Sequence, residues 1–114
     1  MEFIETSLFS KIRDSYFSDL EFHMLQLHLM DQPDAGDIIR GTGGARKIRW
    51  GVEGRGKRGG VRIIYYWITK DHQILLLTLY AKNEAKDLSE AAKKEIKRII
   101  KGLEQRDTSR RTTL

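Results

Sequence analysis

Cysteine is absent from this chain of 114 residues. That absence removes disulfides, thiolate nucleophiles and thiolate-ligated metal sites together. No run of about 18 apolar residues occurs, which excludes a membrane-spanning helix. The opening MEFIETSLFSKIRD lacks the basic-then-apolar order of a signal peptide, so a cytoplasmic protein is expected. Histidine is scarce. His23 and His28 fall on one predicted helix one residue past an i,i+4 spacing, with no carboxylate to complete a ligand set, and His72 falls in a turn. No metal and no cofactor are therefore expected. Gly41–Thr42–Gly43–Gly44 lacks the GxxxxGK[ST] spacing of a phosphate loop and precedes a strand, which argues against nucleotide binding.

Charge is abundant, and its location matters more than its sum. Charged residues make up 32% of the chain, hydrophobic residues 39%, and the net charge is +5. From Arg40 to Arg62 there are eight basic residues against the single acid Glu53, so this window carries +7 and the remainder −2. Such a local field suits a phosphate-bearing partner, and it equally suits a solvated loop.

The chain length fits one domain. Glu2–Ile4 is a short candidate edge strand. Leu8, Phe9, Ile12 and Phe17 predict a helix over Ser7–Ser15. Ser18 and Glu21 have capping-box spacing. The second helix then runs from Asp19 to Met30, with Leu20, Met24, Leu27 and Met30 on its apolar face and Phe22, Leu25 and Leu29 widening it. Pro33 ends it, and Asp34–Asp37 reads as a turn. Ala45–Val52 alternates with period two, setting Lys47 and Arg49 on one face and Ile48 and Trp50 on the other. Gly51–Gly60 is a basic, glycine-rich loop. Val61–Ile68 (VRIIYYWI) is β-prone and apolar, as a central strand should be. Tyr65, Tyr66 and Trp67 belong to that sheet and not to a base-stacking platform. Thr69–His72 is a hairpin turn before Gln73–Tyr80. Asp87 and Ser89 compete to cap a last helix over Glu90–Gln105, whose stripe is Ala92, Ile96, Ile99, Ile100 and Leu103. The domain spans 1–106, and residues 107–114 lack periodicity and read as a disordered tail. The order (β)ααβββα predicts an α+β fold: a three-stranded antiparallel meander with an N-terminal edge strand, two N-terminal helices and one C-terminal helix.

Within that meander Lys47, Arg49, Arg62, Tyr80 and Lys82 can converge. Arginines hold phosphate bidentately, and fixed cations offset the charge that develops on a pentavalent phosphorus. RNA carries its own nucleophile, the 2′-OH. Such a site therefore needs only charge stabilisation and proton transfer, for which Tyr80 and Lys82 are candidates.

GTGGARKIRW, GKRGGVRIIYYW and LLLTLYAKNEAKDL before a terminal amphipathic helix together resemble the RelE superfamily of toxins, in its HigB-like branch. The resemblance covers Met1 to about Arg106. It implies the toxin of a type II toxin–antitoxin system: a metal-independent endoribonuclease that cuts mRNA in the ribosomal A site and contacts 16S rRNA. By motif position it implies Lys47, Arg49, Arg62 and Lys82 as catalytic residues, to which the reading of the residues adds Tyr80. It implies Arg46, Arg55, Lys57, Arg58 and Asn83 as contacts to RNA and ribosome. It also implies a helix-turn-helix, HigA-like antitoxin as partner, with operator DNA bound only through that antitoxin. Family members that carry a tyrosine near the C-terminal helix differ from this chain, where the region reads DLSEAAKKE. Tyr80 is the substitute. Two other readings share the same patch: a noncatalytic RNA- or DNA-binding module, and an inactive homologue serving as antitoxin partner or corepressor.

Overall fold

The computed structural model describes residues 1–51, 60–85 and 87–112, the stretch 105–112 as backbone only. The elements are β1 (Glu2–Glu5), α1 (Ser7–Arg13), α2 (Asp19–Asp31), β2 (Asp37–Ile38), β3 (Arg46–Trp50), β4 (Val61–Ile68), β5 (Gln73–Ala81) and α3 (Glu90–Thr112). They form one five-stranded sheet in the order β1-β5-β4-β3-β2. β4 is its middle strand, which is why VRIIYYWI is apolar on both faces. The predicted meander is present, with β3, β4 and β5 antiparallel in sequence. The edge strand β1 joins β5 in parallel, and a two-residue β2, read from sequence as turn, closes the other edge.

Both sheet faces are covered. Phe9 of α1 and Phe22, Leu25 and Leu29 of α2 pack with Ile48, Val61, Ile63, Tyr65, Ile74, Leu76 and Leu79. Ile96 and Ile100 of α3 pack on the opposite face with Ile39, Ala45, Ile64, Leu75 and Leu77. Strand alternation explains the split along β4. Along β5 the alternation breaks. Tyr65 pairs with Leu76 but Ile64 pairs with Thr78, so Leu77 is an extra residue in β5. Before this bulge even-numbered residues face α1 and α2; after it Leu79 faces them and Tyr80 turns toward the α3 side. Bulges re-aim side chains in this way. Thr6 secures it: its hydroxyl donates to the Leu77 carbonyl (2.7 Å) while accepting from the Phe9 N–H (3.1 Å) as the N-cap of α1.

Ser18 and Glu21 form the predicted capping box. The apolar face of α2 is the reverse of that predicted: Phe22, Leu25 and Leu29 are buried, whereas Leu20, Met24, Leu27 and Met30 are exposed. The helix is apolar on two opposite sides, so periodicity alone does not rank them. The side carrying Phe22 wins by bulk, with its ring stacked on Phe17 at 5.5 Å. Ser89, and not Asp87, caps α3 by accepting from the Ala92 N–H. α3 runs past the expected end at Gln105 and takes in residues 107–112, where no proline or glycine interrupts it. No helix among the described residues is long and apolar enough to cross a membrane.

Two turns fix the β3 end of the sheet. The Tyr65 hydroxyl donates to the Pro33 carbonyl (2.8 Å) and accepts from the Gly36 N–H (2.9 Å). A Cβ on Gly36 would meet the Tyr65 ring at 2.9 Å, so only glycine admits this approach. In the Gly41–Gly44 turn, Thr42 is fully buried, donates to the Ile39 carbonyl and accepts from the Ala45 N–H. The glycines around it take positive φ.

Two predictions follow from these anchors. Thr6→Val keeps the shape but removes both the hydrogen bond to the Leu77 carbonyl and the cap of α1, and should cost about 1–3 kcal/mol in denaturant unfolding. Burial raises the Tyr65 hydroxyl above its ordinary value of 10.0. A raised group stabilises the fold below its unfolded pKa, and that contribution disappears as pH rises through the folded one. Stability should therefore fall above about pH 10, and Tyr65→Phe should unfold more easily at pH 7 but show a shallower alkaline fall.

Candidate active site

The register of the meander sets Arg49 opposite Arg62, and Arg62 opposite Tyr80. The three residues form one row across three strands. Lys47 lies one pleat along β3 on the same face, opposite Ile64. This is the face that α3 covers further along, and Tyr80 and Leu88 each pack against that core. Directly opposed residues stand with Cβ atoms roughly 4.5–5.5 Å apart, so the row concentrates two guanidinium groups and a phenol.

The two arginines differ in environment. Arg49 is exposed. Arg62 is only 7% exposed and donates to the Gly60 carbonyl at 3.3 Å. Among the described residues no carboxylate pairs with either of them. Like charges directly opposed across a ladder are destabilising, and a buried guanidinium without a carboxylate favours an anion that supplies the missing charge.

Tyr80 completes the row. Among the described residues its hydroxyl is buried and makes no hydrogen bond. Burial raises its pKa, and the Asp87 carboxylate adds to that rise while Arg62 opposes it. The phenol is thus held protonated at neutral pH, as a donor awaiting an acceptor. That state fits a general acid and disfavours a general base.

Asp87 was not anticipated in the site. Freed from capping by Ser89, it contacts Lys47 Nζ at 3.6 Å. The Leu88 N–H and then Lys47 hold its carboxyl below the ordinary range. Sequence spacing marked Asp87 only as a helix cap, and nothing in that spacing pointed to Lys47. Glu84 was also missed. It accepts from the Ala81 N–H (2.8 Å) and from the Tyr16 hydroxyl (2.5 Å), so it braces the turn that carries Lys82 and Asn83. Its position in the YAKNE segment was the available signal. Lys82 and Asn83 themselves are exposed, just beyond β5.

Arg46 is separated from this group. It lies on the α1/α2 face opposite Tyr65, and its guanidinium donates to the Asp34 and Gly36 carbonyls at 3.2 and 2.8 Å. These bonds hold the 33–36 turn and set Arg46 apart from the row. Arg55, Lys57 and Arg58 lie outside the described residues, as does most of the Gly51–Gly60 loop.

No family model matches the chain. Several solved structures are similar, among them two from E. coli. The intact E. coli RelBE toxin–antitoxin complex contains a chain 15% identical, at a TM-score of 0.52, with 68% of this chain and 92% of that one covered. A mutant of E. coli toxin RelE in the free state is 13% identical, at a TM-score of 0.53, with 75% of this chain and 86% of that one covered. This chain therefore has the RelE fold: α+β, with its helices packed on a mixed sheet.

The opposed arginines generate a direct test. Arg49→Ala relieves the repulsion and should raise unfolding stability by about 0.2–1 kcal/mol. Inorganic phosphate at constant ionic strength should raise the Tm of the wild type by mass action. The same titration should raise the Tm of Arg49→Ala less.

Proposed function

We propose that this chain is the toxin of a toxin–antitoxin pair and acts as a metal-independent, ribosome-dependent mRNA endoribonuclease. The observation that carries the reading is the Arg49–Arg62–Tyr80 row, with its buried, unpartnered phenol, on a RelE fold. The likeness to a chain from a toxin–antitoxin complex supports an antitoxin partner. HigB-like identity, a helix-turn-helix HigA-like antitoxin and contacts to 16S rRNA are finer parts of the same proposal.

In this reading the scissile phosphate sits over the row. The 2′-oxygen of the upstream ribose attacks phosphorus in line while the bond to the 5′-oxygen breaks. The products are a 2′,3′-cyclic phosphate and a 5′-hydroxyl. Arg49 and Arg62 take the nonbridging oxygens and stabilise the charge that builds on them. Tyr80 gives its proton to the departing 5′-oxygen. Lys47, held by Asp87, adds positive charge at the edge, and phosphate competes with Asp87 for it. Lys82, exposed just beyond β5, adds a further cation beside the phosphate, and the 2′-OH proton leaves to water. The codon-reading side of the site falls to the ribosome and to residues beyond the row.

The test is primer extension on an mRNA in a purified translation reaction. Wild type should give discrete cuts within translated codons, absent when ribosomes are left out. Arg62→Ala should lower the single-turnover rate by about 10²–10³-fold. Tyr80→Phe should lower it by about 10²–10⁴-fold. Lys82→Ala should also reduce cutting. Folded wild type that binds ribosomes without cutting the message would replace this proposal with a noncatalytic RNA-binding module.

A further inference from the structure

The side of α2 turned away from the core is apolar. Leu20 is 70% exposed, Met24 52%, Leu27 46% and Met30 49%. Leu20, Met24 and Leu27 are spaced by four and three residues, the seam spacing of a two-helix pair. At about 100° per residue they fall within one narrow stripe directly opposite Phe22, Leu25 and Leu29. Asp31 continues the stripe at the C-terminal end. An exposed helix normally presents polar residues on this side, and a contiguous exposed apolar row marks an interaction surface.

The surrounding charge says what covers it. Residues 14–39 contain six carboxylates (Asp14, Asp19, Glu21, Asp31, Asp34, Asp37) and no lysine or arginine. Asp19 and Asp31, which border the row, are exposed and in no ion pair among the described residues. A second copy of the same face would bring like charges together. An anionic membrane surface attracts basic flanks, not acidic ones. The complementary occupant is an apolar seam framed by cations.

We propose that the Leu20–Met24–Leu27 row of α2 is a docking surface for an amphipathic helix of another protein, one with an aliphatic seam flanked by lysine or arginine. Leu20, Met24 and Leu27 interdigitate with that seam. A cation of the partner meets Asp31 at the end of the row, and others meet Asp19. The occupant approaches the sheet from the α1/α2 side, away from the Arg49–Arg62–Tyr80 row. The proposal is independent of the ribonuclease reading.

The test uses the full chain and two monomeric three-heptad probe peptides, one with leucine in the seam and lysine at the flanks, the other with glutamate in place of lysine. Binding is read by fluorescence anisotropy, and self-association by sedimentation. The leucine–lysine peptide should bind saturably and the leucine–glutamate peptide should not. Leu27→Asp should weaken the first by about tenfold or more, although it adds negative charge that would strengthen any purely electrostatic attraction. Asp31→Lys should shift preference toward the glutamate peptide. Leu27 and Asp31 are exposed, so both variants should keep the wild-type unfolding midpoint, and Arg49→Ala should bind the peptide as wild type does. Failure of the lysine peptide to bind, equal binding of both peptides, or indifference to Leu27→Asp would overturn the proposal. So would a dimer of the chain that Leu20→Asp dissolves, or adsorption of the chain through this face to phosphatidylcholine–phosphatidylserine vesicles.

Discussion

The bulge at Leu77 is the constraint from which the cationic site follows. Strict alternation along β5 would send Tyr80 to the same side as Ile74 and Leu76, into the core under α1 and α2. One extra residue resets the phase, so Leu79 stays in that core while Tyr80 swings beside Arg62. Thr6 donates its hydroxyl to the carbonyl of the bulged residue, Leu77. A residue at the N-terminal edge of the sheet thus fixes the direction of a side chain in its middle. The parallel pairing of β1 on β5 is what brings Thr6 within reach, because a strand that ended elsewhere would leave the Leu77 carbonyl to water. Fold and site are coupled through a hydroxyl that touches neither phosphate nor nucleophile.

The second constraint is electrostatic. Arg62 is buried and stands opposite another arginine. A protein selected for stability alone would not keep that pair. The two covered faces of the sheet supply enough apolar burial to hold it in place, and the brace from Glu84 to Tyr16 ties the adjoining turn to the α1–α2 segment. Asp87 is the only carboxylate among the described residues that pairs with this cationic group, and it does so through Lys47 at the rim. Among the described residues the centre of the row is paired with no carboxylate.

Much of this was legible from residues alone. Alternation in RKIRW gave one basic face, the apolar run VRIIYYWI gave the middle strand, and Ser18 with Glu21 gave a helix start that the structure reproduces. These are signals in which local chemistry and tertiary packing agree. Where they failed, the reason is physical. α2 has apolar residues on opposite sides, so period alone could not choose its core face, and bulk decided for Phe22, Leu25 and Leu29. β2 is two residues long and exists only because β3 offers it an edge. Asp87 reaches Lys47 only after Ser89 takes the cap. Arg46 shares the motif GTGGARKIRW with Lys47 and Arg49, but a one-residue step on a strand is a change of face, and the Pro33–Gly36 turn claims its guanidinium.

The α2 surface and the arginine row carry opposite charge, and this ordering is already present in the chain. Residues 14–39 hold only carboxylates among their fully charged groups, whereas the window from Arg40 to Arg62 holds eight basic residues and one acid. In the fold, the sheet lies between α2 and the Arg49–Arg62–Tyr80 row, so the α2 carboxylates and these two arginines stand on opposite sides of it. At physiological salt such fields act over about 8 Å, so the two surfaces address their partners separately. On the proposed readings, a polyanion favours the arginine row and a basic helix favours α2. The sheet also keeps the two occupancies compatible in space. Any communication between them has to run through the packed core and not through charge, and the most direct covalent route is the chain from α2 through the Pro33–Gly36 turn into β3, which carries Lys47 and Arg49.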